Sequence, residues 1–120
     1  MANPEKGEVD FEVDGKRYIL SYSVNAICAL EEKTGKSVLQ IQQDIGRWAR
    51  NRAEMKISTV RTLFWAGLLD HQKTTTIEEA GVLMQDAGGL VVIFTLVMQA
   101  MTRSQPPADG MKDTRPRKRR

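Results

Sequence analysis

The sequence predicts an α+β fold, mostly α: an N-terminal β-hairpin packed on a bundle of about four to five short helices, followed by a disordered basic tail. Three observations predict it. Residues 8–13 and 16–22 alternate polar and apolar around Asp14-Gly15, a strong hairpin signal because a type I′ turn needs positive φ at both centre positions. Four later segments open on Ser or Thr and carry apolar residues at helical spacing. The third is the run 90–101, the most apolar stretch of the chain. About 12 residues is long for a strand and short of the roughly 20 that a membrane span needs.

In order, the first strand places Val9, Phe11 and Val13 on one face, and the second places Tyr18, Leu20 and Tyr22 on the better buried one. A lone hairpin is marginal in water, so this one must pack on a helix or join another chain's sheet. Ser23 reads as the N-cap of a helix over 24–33, with Val24, Ile27 and Leu30 as its apolar stripe, and Gly35 suits its C′ position. Ser37 caps a second helix, with Leu39, Ile41 and Ile45 apolar, which Gly46 loosens so that it frays through 47–50. Residues 50–56 read as a loop or a ragged helix end. Ser58 and Thr59 open a third helix carrying Val60, Leu63, Phe64, Gly67 and Leu68, with Gly67 admitting a close neighbour. Thr76 with Glu79 is a capping-box pattern for a fourth helix, which ends at Gly88-Gly89.

The run 90–101 is read as the helix around which the rest is organised. A helix apolar on nearly every side must be covered on nearly every side, by the protein's own elements or by a partner. Beyond it, Pro106, Pro107 and Gly110 break the helix, and the remaining residues hold too few apolar side chains to offset the entropy of ordering. The expected organisation is one domain over 1–102 and a tail over 103–120.

Hydrophobic content of 41% and charged content of 28% are ordinary for a globular protein. The net charge of +3 is unevenly placed: residues 1–102 sum to −2 and residues 103–120 to +5. The body therefore offers no basic face. Nothing at the start resembles a signal peptide, and the lone Cys28 fits a reducing compartment, so a cytoplasmic protein is expected.

Little here supports catalysis. Cys28 sits among apolar residues, where a free cysteine usually packs as a small buried hydrophobe, and His71 is the only imidazole that could activate it. His71 itself follows a helix end, where exposed carbonyls or water are its usual company. No metal-ligand spacing occurs, and Gly88-Gly89 lacks the Lys-Ser/Thr ending of a phosphate loop. The expectation is a non-enzyme without cofactor or metal. Arg115, Arg117, Lys118, Arg119 and Arg120 have a direct use in salt-dependent attraction to phosphate or to an acidic protein. Without an interleaved aromatic residue, they are poorly suited to reading bases.

Several stretches together resemble the small tail assembly chaperone family of tailed phages and gene transfer agents. They are Gly7-Glu-Val-Asp-Phe-Glu-Val-Asp-Gly15, Tyr18-Ile-Leu20, Asn25-Ala-Ile-Cys-Ala-Leu-Glu-Glu-Lys-Thr-Gly35, Val60-Arg-Thr-Leu-Phe-Trp-Ala-Gly-Leu68 and Thr76-Ile-Glu-Glu-Ala-Gly-Val-Leu83. The similarity covers roughly residues 7–100 and leaves out the tail. The resemblance implies a non-enzymatic chaperone in the host cytoplasm that coats the tape-measure protein and recruits tail-tube protein. On that reading Phe64, Leu68, Leu90, Ile93, Phe94, Val97, Met98 and Met101 form a core that opens to a partner helix, and the hairpin edge serves self-association. The alternatives are a structural tail-tube component, or a small nucleic-acid-binding protein acting only through the tail.

Overall fold

The computed structural model describes residues 7–104. Strands β1 (Val9–Val13) and β2 (Lys16–Leu20) form one antiparallel hairpin, pairing Val9 with Leu20, Phe11 with Tyr18 and Val13 with Lys16. Asp14 and Gly15 take φ of 52° and 81° at the turn, the left-handed pair that Asp-Gly supplies. Five α-helices follow: α1 (Val24–Thr34), α2 (Val38–Arg50), α3 (Ile57–Leu68), α4 (Ile77–Asp86) and α5 (Leu90–Ser104). A single 3-10 turn, Arg52–Glu54, lies between α2 and α3. The α+β, mostly helical fold is the one expected.

The caps follow the sequence closely. Ser23 accepts from the Ala26 N–H, and Gly35 ends α1 with φ 74° while donating to the Glu31 carbonyl. Ser37 with Gln40, and Thr76 with Glu79, form reciprocal capping boxes. One cap differs: α3 starts at Ile57, with Lys56 in the cap position and no side-chain cap bond. Ser58 therefore lies inside the helix, where its carbonyl accepts from the Thr62 hydroxyl.

Several side chains sit elsewhere than their spacing suggested. Val24 and Leu39, read as core-facing, are 78% and 68% exposed. Both lie in the first turn of their helices, outside the contact with the neighbouring layer; Ala26 and Leu30 bury α1 instead. Helix α2 does not fray after Gly46. Trp48 is buried and lies 6.5 Å from the Phe94 ring, which anchors the last turn through Arg50. Cys28 is exposed rather than core, because α1 buries the face of Ala26 and Leu30 and turns Cys28 away from it.

The organising element is α3, not the run 90–101. It packs against α1, α4, α5 and β2, and it buries Val60, Leu63, Phe64, Ala66, Gly67 and Leu68. Gly67 makes this possible: a Cβ there would lie 2.9 Å from Leu20 Cδ2 and from the Tyr22 ring. At the same place the Ser21 N–H donates to the Gly67 carbonyl, and the Tyr22 hydroxyl donates to the Leu63 carbonyl. Two backbone elements thus meet where one side chain is missing. Burial pushes the Tyr22 phenol above its ordinary value of 10.0.

Among the described residues, no single helix is long and apolar enough to cross a membrane. Helices α4 and α5 together have the composition, but the chain bends by 112° between them. Gly88 and Gly89, at φ 120° and 96°, make that corner.

Candidate partner-binding surface

Helix α5 has two unlike sides. Ile93, Phe94, Val97, Ala100 and Met101 are buried against α3 and the hairpin. The opposite side starts apolar, with Val91 51% and Val92 44% exposed, and continues with exposed Thr95, Gln99 and Thr102. Thr95 turns its hydroxyl back to the Val91 carbonyl, so it closes a backbone acceptor within the helix. The open apolar surface of α5 is therefore its first turn. On α4, Val82 is also exposed.

This geometry sorts the eight residues named for a partner helix. Phe64, Leu68, Ile93, Phe94, Val97 and Met101 are core side chains and offer no surface to a docking helix as they stand. Leu90 and Met98 are partly buried and packed against the core. The structure brings all eight together, six as the interior of one cluster and Leu90 and Met98 at its margin. Val91 and Val92, which apolar spacing alone does not single out, are the exposed members of the same run. A signal existed for them: Thr95, Gln99 and Thr102 recur at three- and four-residue spacing and mark the outer face. Carrying that face back one turn reaches Val91.

Residues 115–120, the tail cluster Arg115, Arg117, Lys118, Arg119 and Arg120, lie outside the described residues. The two residues weighed for nucleophilic chemistry are placed apart in role. His71 Nε2 lies 3.1 Å from a Glu8 carboxylate oxygen and ties the loop after α3 to the start of β1, while Cys28 stands exposed on α1. Among the described residues, no group of three His, Cys, Asp or Glu could hold a metal ion.

The charged surface serves the fold. Asp44 receives Lys36 and Arg47, each at 3.0 Å, and Arg47 also reaches Glu54 at 2.8 Å. Partial burial would raise the Asp44 carboxyl, but hydrogen bonds and charge from Lys36 and Arg47 outweigh it and hold the carboxyl below its ordinary range. An open groove of about 520 Å³ runs between β2 and α4, lined by Lys16, Tyr18, Thr75, Glu79 and Asp86 among others. Its walls are mixed in charge.

Comparison with protein families, with curated proteins and with solved structures returns no match.

Proposed function

We propose that the chain is a non-enzymatic tail assembly chaperone of a siphophage-like particle or gene transfer agent. It would bind the tape-measure protein in the host cytoplasm, aid tail-tube polymerisation and engage tail-tube protein. The support is the resemblance of residues 7–100, whose matching stretches supply the hairpin turn, the Gly35 end of α1, the Thr76 start of α4 and the close contact at Gly67.

The observation that carries the mechanism is the first turn of α5. Single exposed apolar residues are ordinary on a protein surface. Here two adjacent valines stand exposed in the first turn of α5, and the opposite side of that helix, from Ile93 to Met101, is buried core. A largely helical tape-measure chain exposes apolar stripes until a tube encloses it. An anchored apolar step of this kind covers such a stripe by the helix-in-groove mode, without unfolding the core.

The test is co-expression with a tape-measure protein, using the full chain and a chain ending at Thr102. A soluble complex that co-purifies and survives high salt is expected in both cases. The double variant Val91→Glu, Val92→Glu is expected to fold and to lose the complex. No complex with either chain, together with salt-sensitive nucleic-acid binding that needs the tail, would replace this reading with the nucleic-acid one.

A further inference from the structure

We propose that residues 36–55, helix α2 with its 3-10 turn, form a strap that lifts from the body as one piece, and that its seat over Phe94 takes an amphipathic helix with the apolar spacing of α2. This goes beyond the chaperone reading and does not depend on it.

The strap is bonded to itself. Asp44 pairs with Lys36 and Arg47, Arg47 pairs with Glu54, and Glu54 accepts from the Asn51 side-chain amide. Among the described residues, every hydrogen bond and ion pair made between Leu39 and Met55 closes within residues 36–55. The bonds to the rest of the chain lie at the front joint, where the Lys36 N–H donates to the Thr34 hydroxyl and the Val38 N–H to the Glu31 carboxylate. Helix α3 is tied differently. Its Gly67 and Leu63 carbonyls accept from Ser21 and Tyr22, and Trp65 Nε1 donates to the Thr75 carbonyl. Those bonds reach other elements and must break before α3 can move.

What holds the strap down is apolar. Ile41, Ile45 and Trp48 form one stripe at helical spacing and are buried, while the rest of α2 is exposed or half-buried. The backbone of α2 comes closest to α1 and the 3-10 turn, whereas the Trp48 ring reaches across to Phe94 at 6.5 Å. Trp48 Nε1 is buried there without a hydrogen-bond partner. A donor left unpaired in this way gains a partner when the helix lifts into water, so it favours opening.

Both joints allow the movement. Gly35 takes φ 74°, and nothing lies within 4 Å of where its Cβ would be. Met55 and Lys56 are extended, at φ −68° and −100°, and Lys56 makes no side-chain cap bond to α3. A segment with self-contained polar bonds, seated through three side chains between two such joints, is a unit of local opening. Opening bares the Phe94 ring, which is 1% exposed in the closed chain. The stripe of α2 defines what fits there: a helix with two aliphatic residues and an aromatic one at i, i+4 and i+7.

Amide hydrogen exchange of the full chain, read by NMR, tests the opening. The amides of residues 42–50 are expected to exchange through one shared event, at least about a hundredfold faster than those of residues 63–67 in α3. Equal rates in the two helices would overturn the strap, and so would rates that rise steadily towards one end of α2. The seat is tested with a full-length Trp48→Ala variant and a synthetic peptide of residues 37–55 at about 1 mM, the order of the local concentration of a tethered segment. The peptide is expected to shift the Phe94 ring signals of the variant, and the same peptide carrying Trp48→Ala is expected to leave them in place. A native peptide that does not move them would overturn the seat. Loss of α3 protection in the Trp48→Ala chain would overturn the whole proposal, by making α2 part of the same cooperative unit as α3. No tape-measure protein is used, so these outcomes stand apart from the chaperone test.

Discussion

Helices α3 and α5 are both apolar, yet they end in opposite situations. The more apolar of the two by inspection, α5, opens to solvent along one side, while α3, interrupted by Ser58, Arg61 and Thr62, is packed by elements on four fronts. Composition ranks them wrongly because position in the assembly, not hydrophobicity, decides how many neighbours a helix has. Helix α3 lies mid-chain and carries Ala66 and Gly67 where β2 crosses it, so backbone can approach backbone. Helix α5 is the last described element, and α3, α4 and the hairpin cover only one of its sides.

Mutation at the centre of α3 should break this contrast most severely. Phe64→Ala, which empties that centre, is expected to cost about 3–5 kcal/mol in urea unfolding, as fully buried aromatic truncations do. Gly67→Ala should lower stability by about 1–3 kcal/mol, although alanine is the better helix former. The reason is that the new methyl would sit 2.9 Å from Leu20 and Tyr22. A stabilising Gly67→Ala would mean that β2 and α3 can part freely, and that α3 is not the tight element described.

Tyr22→Phe sharpens the same contact. It removes one buried hydrogen bond, at a cost of about 1 kcal/mol. It should also remove a pH dependence. Because burial raises the folded-state pKa of Tyr22, its contribution is fully present below about pH 10. As pH climbs above that value, it falls by about 1.4 kcal/mol per unit. Unfolding curves of the native chain and the variant should therefore converge at alkaline pH. Asp44 has the opposite sign. Its depressed carboxyl contributes stability above its ordinary value of 3.8, and this is lost as pH falls through the folded-state pKa. With Lys36 and Arg47 about half exposed, Asp44→Asn is expected to cost no more than about 1 kcal/mol near neutrality. The smallest effect belongs to α5: Val91→Ser with Val92→Ser should shift stability by less than about 0.5 kcal/mol per site. A larger loss would show that these valines are packed and not a free surface.

The local features were legible in the sequence because each is set by a few neighbouring residues. Asp14-Gly15 dictates its turn through positive φ, Ser23, Ser37 and Thr76 dictate helix starts through one side-chain acceptor each, and Gly35 dictates an end. The apolar spacing of Val60, Leu63, Phe64, Gly67 and Leu68 likewise marked a buried face. The exposed valines of α5 were nearly legible, through the polar residues that share their face.

What only the tertiary structure decided concerns contacts between distant segments. That α3 is the hub, that Trp48 anchors α2 through Phe94, that His71 meets Glu8 and that Val24, Leu39 and Cys28 face outwards all depend on which helix lies beside which. Hydrophobic burial is non-directional, so an apolar pattern states that a face wants cover without naming the neighbour or how far its cover extends. The chain alone set the elements and most of their ends; packing set the end of α2, and it set which apolar side chains were left for a partner.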